Sequence, residues 1–322
     1  VVVITHNSAE VLGSCLDSLR GVFAEAVVVD NASTDESLAI ARRHALAGEV
    51  EVIANLGNRG FAGAANQAFR ATGSKCVLLL NPDAVLERPV DLGRMVEVCE
   101  EFGLASGLLV DLAGVPQSGF FTRSLPTPVI LSFEALGLNR LWPSNPVNRR
   151  YRCLDLAPDR ESFVEQPAGA LVMIRRDVWE RLGGLDEEFH PVWFEDADFC
   201  RRALDAGYKI RFTPSVRARH EGGHSVLRVE RKTREVLWYG SLLRYALKHF
   251  GAPGFRLVCV SVALGAAGRM VVAGFGVRGW AETVRMYGSI MRLAAGSCWS
   301  GSVPAAGRPQ ADEKSVVSVM KH

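Results

Sequence analysis

Apolar and polar positions follow two alternating patterns over the first hundred residues. Val1 to Thr5 is a continuous apolar run, as in a strand buried on both faces. Leu12, Leu16 and Leu19 then recur at helical spacing. Ala26 to Val29 reads as a second buried strand, ending at Asp30. Ser33 and Glu36 have the spacing of a capping box, which predicts that the next helix opens there. Val50 to Ile53 is a third strand, Phe61 to Ala71 an alanine-rich helix, and Cys76 to Leu80 a fourth strand leading into Asn81-Pro82-Asp83. Pro89 to Phe102 reads as helix and Leu104 to Val110 as strand. Repeated β-α-β units with short loops predict an α/β fold with a parallel, doubly wound sheet flanked by helices.

Such sheets bind ligands at the carboxyl ends of their strands. The residues that follow the strands are Thr5-His6-Asn7, Asp30-Asn31 and Asn81-Pro82-Asp83. All are polar, and the topology predicts them on one rim.

The pattern changes over residues 111–165. Pro116, Pro126, Pro128, Pro143, Pro146 and Pro158 predict an irregular insertion. Order returns with Gln166 to Ala170 and a strand over Leu171–Ile174. A helix over Phe194–Ala206, short strands over Tyr208–Phe212 and Val216–Arg219, and a long helix over Val229–Phe250 follow. Beyond Pro304 the chain is polar and aperiodic, so a disordered tail is expected. This divides the chain at 1–110, 111–228, 229–295 and 296–322.

Composition narrows the class. Of 322 residues, 48% are hydrophobic and 22% charged, which excludes disorder, collagen and coiled coil as the main architecture. Lys+Arg 37 against Asp+Glu 35 gives a net charge of +2, so no nucleic acid is expected as partner. The 7 cysteines are scattered, odd in number and never form C-x-x-C, which points to a reducing compartment. The chain opens on Val1-Val2-Val3-Ile4, with no signal peptide visible and the look of a truncated start. Leu257 to Val277 is apolar, but Arg269 interrupts it and leaves Leu257–Gly268 ahead of it, against the roughly 20 residues that a span needs.

Several groups carry candidate chemistry. Asp83, fixed behind Pro82 at a strand end, suits a hard divalent cation with open positions for phosphate oxygens; Asn-Pro-Asp is also ordinary turn chemistry. Asp30 could accept a ring N–H from a pyrimidine base, or serve a turn beside a helix N-terminus. Gly57 to Asn66 is a small-residue loop entering a helix. It matches neither the dinucleotide-binding fingerprint nor the P-loop. Glu195-Asp196-Ala197-Asp198 opens a helix. Asp198 is expected to form a surface salt bridge with Arg201 and Arg202, whereas Asp196 shares the inward side with Phe199, Cys200 and Ala203. Desolvation there raises a carboxyl pKa, as a general base needs; helix capping is the competing reading. His220-Glu221-Gly222-Gly223-His224 matches H-E-x-x-H, which binds zinc only on a helix; the paired glycines and the strand before them argue against one.

Taken together and in order, these motifs resemble glycosyltransferase family 2, most closely the branch containing bacterial rhamnosyltransferases. The resemblance covers residues 1–250. It rests on Val3 to Asn7, Val28 to Asp35, Asn58 to Asn66, Leu79 to Asp83, Gly169 to Ile174, Gly183 to Glu187, Phe194 to Asp198, Gly207-Tyr208 and His220. It implies a GT-A fold, a mostly parallel Rossmann-like sheet flanked by helices, here with a C-terminal helical extension. Residues 1–110 then form the nucleotide-sugar half and 111–228 the acceptor and catalytic half. Thr5, Asn7 and Asp30 match positions that hold the base and ribose, and Asn58 and Arg59 fall in the loop beside the nucleotide. Asn81-Pro82-Asp83 matches the D-x-D motif with Asn first, so Asp83 is the expected ligand of Mg²⁺ or Mn²⁺. His220 matches a histidine that completes the metal site in some members. Asp196, within the Glu195-Asp196 pair, matches the catalytic base. His190 stands where aromatic residues are common, and its role is open.

The implied reaction is inverting transfer of a sugar, rhamnose from dTDP-rhamnose being the first expectation, to a hydroxyl of a cell-envelope glycan or lipid-linked saccharide. The expected location is cytoplasmic. Basic residues between Arg217 and Arg256, followed by the apolar stretch, fit either peripheral contact with an anionic membrane surface at the inner face of the membrane or a packed helical hairpin with a solvated basic face. A sugar-nucleotide-binding protein without catalysis and a zinc peptidase are the competing classes.

Overall fold

A computed structural model describes residues 1–21, 25–44, 50–222, 230–274 and 280–305. Strands β1 (Val2–Thr5), β2 (Ala26–Asp30), β3 (Val50–Ala54) and β4 (Cys76–Leu80) run parallel in the order β3-β2-β1-β4. The sheet continues as β10 (Leu171–Arg175), β6 (Gly103–Val110), β11 (Lys209–His220) and β5 (Ala84–Leu86), with β8 (Ser162–Val164) also on β11. β7 (Thr122–Arg123) and β9 (Gln166–Pro167) form a separate antiparallel pair. The sheet is mostly parallel within its first half but mixed beyond it. β10 enters between β4 and β6 antiparallel to both, because it starts at the rim where β4 ends. That reversal sets Ala170 O against Asn81 N at 3.1 Å.

The apolar runs of β1 and β2 are wholly buried because helices cover both faces of the sheet. α1 (Ala9–Asp17) contributes Leu12, Cys15 and Leu16, and α3 (Gly60–Ala71) its alanines and Phe69. α4 (Leu92–Phe102) contributes Met95, Val98 and Cys99.

Three expectations change. The capping box is absent: α2 (Ser37–Arg43) starts after Glu36, and Asp35 Oδ1 accepts from Ser37 N at 2.9 Å. Ser33 instead accepts from Asn7 N at 3.0 Å. Residues 111–165 are more regular than their prolines predict, with helices α5 (Pro128–Leu136), α6 (Leu138–Leu141) and α7 (Pro146–Tyr151). Pro128 and Pro146 occupy first helical positions, where a missing N–H removes no bond, and Thr127 and Asn145 cap the following backbone through their side chains. These prolines begin helices. The two short strands expected after α8 (Arg176–Leu182) and α9 (Glu195–Asp205) are one strand, β11, with a register shift between Phe212 and Arg217 that accommodates Pro214.

The chain then builds a second apolar core from α10 (Arg231–His249), α11 (Ala252–Gly274) and α12 (Trp280–Ser300), together with Leu131 and Ala135 of α5. Among the described residues one helix, Ala252–Ala273, is long and apolar enough to cross a membrane. Its one central charge is engaged: Arg269 Nη1 donates to Ala135 O at 2.7 Å, a carbonyl at the end of α5, and its guanidinium lies over Tyr287. Gly265 lets the two helices meet, since a Cβ there would collide with the same carbonyl. The seven cysteines are free thiols. The tail expected over 296–322 starts too early, since residues 296–300 are the last of α12, and residues 306–322 lie outside the described residues.

Candidate functional site

The register sets Thr5 beside Asp30 at the carboxyl ends of β1 and β2. Both are buried, and Thr5 Oγ1 and Asp30 Oδ1 have no hydrogen-bond partner among the described residues. Asp30 Oδ2 accepts from Ser33 N at 3.1 Å. Asn7 adopts φ 53° and accepts from Thr34 N at 2.7 Å, so it shapes the 31–35 turn. Asn31 clamps the loop ahead of α3: its Oδ1 accepts from Arg59 N at 2.9 Å, and its Nδ2 donates to Asn58 Oδ1 at 3.0 Å. Asn58 Oδ1 also accepts from Gly60 N. Gly60 has φ 73°, and a Cβ there would stand 2.6 Å from His190 Nδ1. His190 therefore packs on the start of α3, and Phe61 N donates to Pro191 O at 2.7 Å.

In front of this rim lies a cavity of about 620 Å³. Asn58, Asn81, Asp83, Glu195, Asp196 and His220 line it, as do His6 and Asn31. Thr5, Asn7, Asp30 and Arg59 are not in its wall; Arg59 contributes its backbone to the loop clamp.

Pairing of β5 with β11 sets His220 beside Ala84 and brings its Nε2 to 3.4 Å from Asp83 Oδ1. Gln117 Nε2 donates to His220 O at 2.7 Å, so Gln117 Oε1 faces His220 Nδ1 at 3.2 Å and accepts from it. In the tautomer protonated at Nδ1 alone, Nε2 presents its lone pair toward Asp83, and this buried atom has no hydrogen-bond partner among the described residues. A carboxylate beside an imidazole lone pair fits Mn²⁺ or Mg²⁺ as a partial ligand set. Among the described residues no cluster of three His, Cys, Asp or Glu could hold a metal alone, so further ligands would come from substrate or water. The H-E-x-x-H reading lacks its helix: His220 ends a strand, Glu221 and Gly222 are not helical, and His224 lies outside the described residues.

Opposite stands the first turn of α9. Trp193 and Phe194 precede it with φ 81° and 70°, and left-handed backbone costs about 1–3 kcal/mol at each such non-glycine residue. Glu195 is buried with Oε2 unpartnered, and burial, then the charge of Asp196, raises its pKa well above the usual value. Asp196 reaches the cavity. Burial raises its pKa, opposed by the Ala197 N–H (2.7 Å to Oδ1), the charge of Arg123 and a hydrogen bond from Gln166.

Asp198 forms no surface pair. It is fully buried, 2.8 Å from Arg202, 2.7 Å from Lys248 and 2.7 Å from His249, while Arg201 pairs with Asp205. Burial pushes its pKa up, but His249, Arg202 and Lys248 outweigh that and hold it below the usual value. Asp198 thus ties the helix carrying Asp196 to α10. Sequence reasoning missed Gln117, Phe120, Arg123 and Gln166 at this site. The first three come from the proline-broken segment, where no periodicity marks them, Gln166 follows directly after it, and β7–β9 pairing carries Arg123 and Gln166 to Asp196.

Comparison with known proteins places glycosyltransferases among the relatives of this chain. The model of glycosyl transferase family 2 matches residues 1–115, and that of glycosyl transferase family group 2 matches residues 157–305. A low-salt glycan biosynthesis hexosyltransferase of Haloferax volcanii is 26% identical over 68% of this chain and 66% of its own length, just under two thirds. An N-acetylglucosaminyl-diphospho-decaprenol L-rhamnosyltransferase of Mycobacterium tuberculosis is 27% identical over 70% of this chain and 76% of its own. A mannosyltransferase from Pyrobaculum calidifontis, solved with GDP-Man and Mn²⁺, superposes with a TM-score of 0.51 at 19% identity, covering 92% of this chain and 86% of its own. The architecture is the GT-A fold: a mostly parallel mixed sheet flanked by helices, with helices added at its C-terminal end. The two family models match consecutive parts of this chain, consistent with a family 2 glycosyltransferase of the rhamnosyltransferase-like branch.

Proposed function

We propose that the chain transfers a sugar, with inversion, from a nucleoside diphosphate donor to an acceptor hydroxyl. The observation that carries this is Asp196: a carboxyl with a raised pKa, facing the same cavity as the Asp83–His220 pair. Asp196 takes the hydroxyl proton as that oxygen attacks the anomeric carbon. The new C–O bond forms as the bond to the diphosphate breaks, and the nucleoside diphosphate leaves. Burial and the charge of Asp196 raise the pKa of Glu195, which disfavours a second negative charge beside an ionised Asp196. Asn58 and Asn81 line the base, ribose and diphosphate side of the site, with Thr5, Asn7, Asp30 and Arg59 in the rim and loop behind them. The unpartnered Thr5 Oγ1 and Asp30 Oδ1 behind it support a polar ligand at that rim. Mn²⁺ or Mg²⁺ on Asp83 and His220 would neutralise the diphosphate.

The relative named as an N-acetylglucosaminyl-diphospho-decaprenol L-rhamnosyltransferase supports rhamnose as the sugar and a lipid-linked saccharide as acceptor; dTDP-rhamnose as donor and the cytoplasmic face of the membrane are the setting we propose for that reaction. The C-terminal helices favour that setting. α11 buries Val258, Val262 and Ala266 but exposes Leu257, Val260, Leu264, Val271 and Val272 along one stripe. α12 exposes Trp280 and Trp299, and the cations Arg256, Arg285 and Arg292 outnumber Glu282. Since its other side is packed, α11 lies on an anionic lipid surface rather than across it.

Calorimetric titration of dTDP and UDP, each with and without Mn²⁺, tests the donor site on wild type and Asp83→Ala. Metal-dependent binding lost in the variant is expected, and the tighter nucleotide identifies the donor class. Binding without turnover on any lipid-linked saccharide would favour the non-catalytic reading.

A further inference from the structure

One part of the cavity wall has no role in the donor site, and its charge reaches Asp196 without explaining why a cation stands there. Arg123, on β7, and Tyr151, at the end of α7, line the cavity on the Asp196 side. Arg123 Nε donates to Gly119 O at 3.1 Å. Its guanidinium carbon stands 5.8 Å from the Phe120 ring centre and 5.7 Å from that of Tyr151. Among the described residues no carboxylate lies within ion-pair distance of it; the nearby arginine, Arg152, faces Glu134 at 3.7 Å. A guanidinium has five N–H donors; the Gly119 carbonyl takes one and the Tyr151 hydroxyl another, which leaves donors over. Arg123 is thus a half-buried cation, oriented by two rings, with donors left over in a cavity otherwise rich in carboxylates.

We propose that Arg123, supported by Tyr151, is a diphosphate-binding subsite, and that the diphosphate belongs to the acceptor. The planar fork of arginine matches phosphate oxygens bidentately. The acceptor assignment follows from position and rests on the function proposed above. The donor diphosphate is assigned to Asp83 and His220, whereas β7 pairs with β9 so that Arg123 opposes Gln166, which contacts Asp196. A group held by Arg123 belongs to the molecule whose hydroxyl Asp196 deprotonates. The acceptor class is therefore a saccharide carrying a diphosphate close to the attacking hydroxyl, not a neutral glycan.

The test uses farnesyl diphosphate as probe, titrated calorimetrically into the full chain saturated with dTDP or UDP and Mn²⁺. Wild type should bind it, Arg123→Gln should weaken it at least tenfold, and Arg123→Lys should recover part of the loss. Tyr151→Phe should weaken it severalfold, and it serves as the second variant if Arg123→Gln fails to fold. Nucleotide affinity should stay within threefold throughout. Unchanged probe binding in the variants would overturn the subsite. A tenfold loss of nucleotide affinity with the probe unaffected would move Arg123 to the donor diphosphate and overturn the acceptor assignment. Wild type that binds no nucleotide refutes the donor reading itself, a separate outcome.

Discussion

The rim of the sheet and the C-terminal helices treat buried polarity in opposite ways. The rim buries carboxylates and a histidine and leaves Asp30 Oδ1, Glu195 Oε2 and His220 Nε2 without hydrogen bonds among the described residues. The helices bury neutral hydroxyls unpartnered, Tyr245 Oη and Ser297 Oγ, but tie Arg269 and Arg244 to backbone carbonyls. What they leave unsatisfied is an apolar outer face. Unpaired buried acid groups weaken a fold, and an exposed apolar stripe weakens solubility. Each region carries the cost that its proposed ligand would relieve: a charged nucleotide at the rim, a lipid surface at the helices.

The largest effect should come from the rim. Asp196→Asn removes the proton acceptor and keeps the shape, so transfer should fall by about 10²–10⁴-fold. Nucleotide affinity by calorimetry should remain near that of wild type, and retained transfer would refute the base assignment. Because the Asp196 pKa is raised, activity should be lost on the acid side as pH falls through that raised value, in a kcat against pH profile.

At the helices the matching disruption concerns stability. Arg269→Met leaves Ala135 O at the end of α5 without its donor, which should cost about 1–3 kcal/mol in urea unfolding. A helix that spanned lipid would instead be favoured by losing that charge, so a more stable variant would break the packed-hairpin description.

Glu195 sharpens the contrast. A carboxyl whose pKa rises on folding binds more protons in the native state, so it erodes stability as pH climbs from its unfolded value toward its folded one. Glu195→Gln should therefore raise Tm at neutral pH, with the gain fading below the unfolded pKa. An equal Tm gain over wild type at pH 4 and pH 7.5, or none at either, would remove Glu195 from this account.

These two regions were unequally legible in the sequence. β1, β2 and β4 could be read because a strand covered on both faces is an unbroken apolar run, and their ends pointed to Thr5, Asp30 and Asp83. The antiparallel β10 could not, since direction is set by where a strand is entered and not by its own residues. Pro128 and Pro146 misled because the same ring that stops a helix also starts one, and only the Thr127 and Asn145 caps decide which. Asp198 reads as a surface residue from the sequence, since its partners Lys248 and His249 lie some fifty positions away on α10. Arg123 had no periodic neighbours to reveal it. Long-range pairing, which local pattern does not encode, supplied most of the missing site.

The smallest change in stability accompanies the sharpest test of the outer face. Leu264 is 59% exposed in the middle of the α11 stripe. Leu264→Glu removes no buried contact, so its effect on unfolding should stay within about 0.5 kcal/mol. Co-sedimentation with anionic vesicles at low salt should nevertheless drop severalfold, since the variant sets a like charge and a polar group against the lipid. Wild type should also bind neutral vesicles less well than anionic ones. Wild type that fails to sediment with anionic vesicles, or a variant that binds them equally, would return α11 to a packed hairpin with a solvated face. A shift from dimer to monomer in the variant, without any vesicle binding by wild type, would assign the stripe to a second copy of the chain instead.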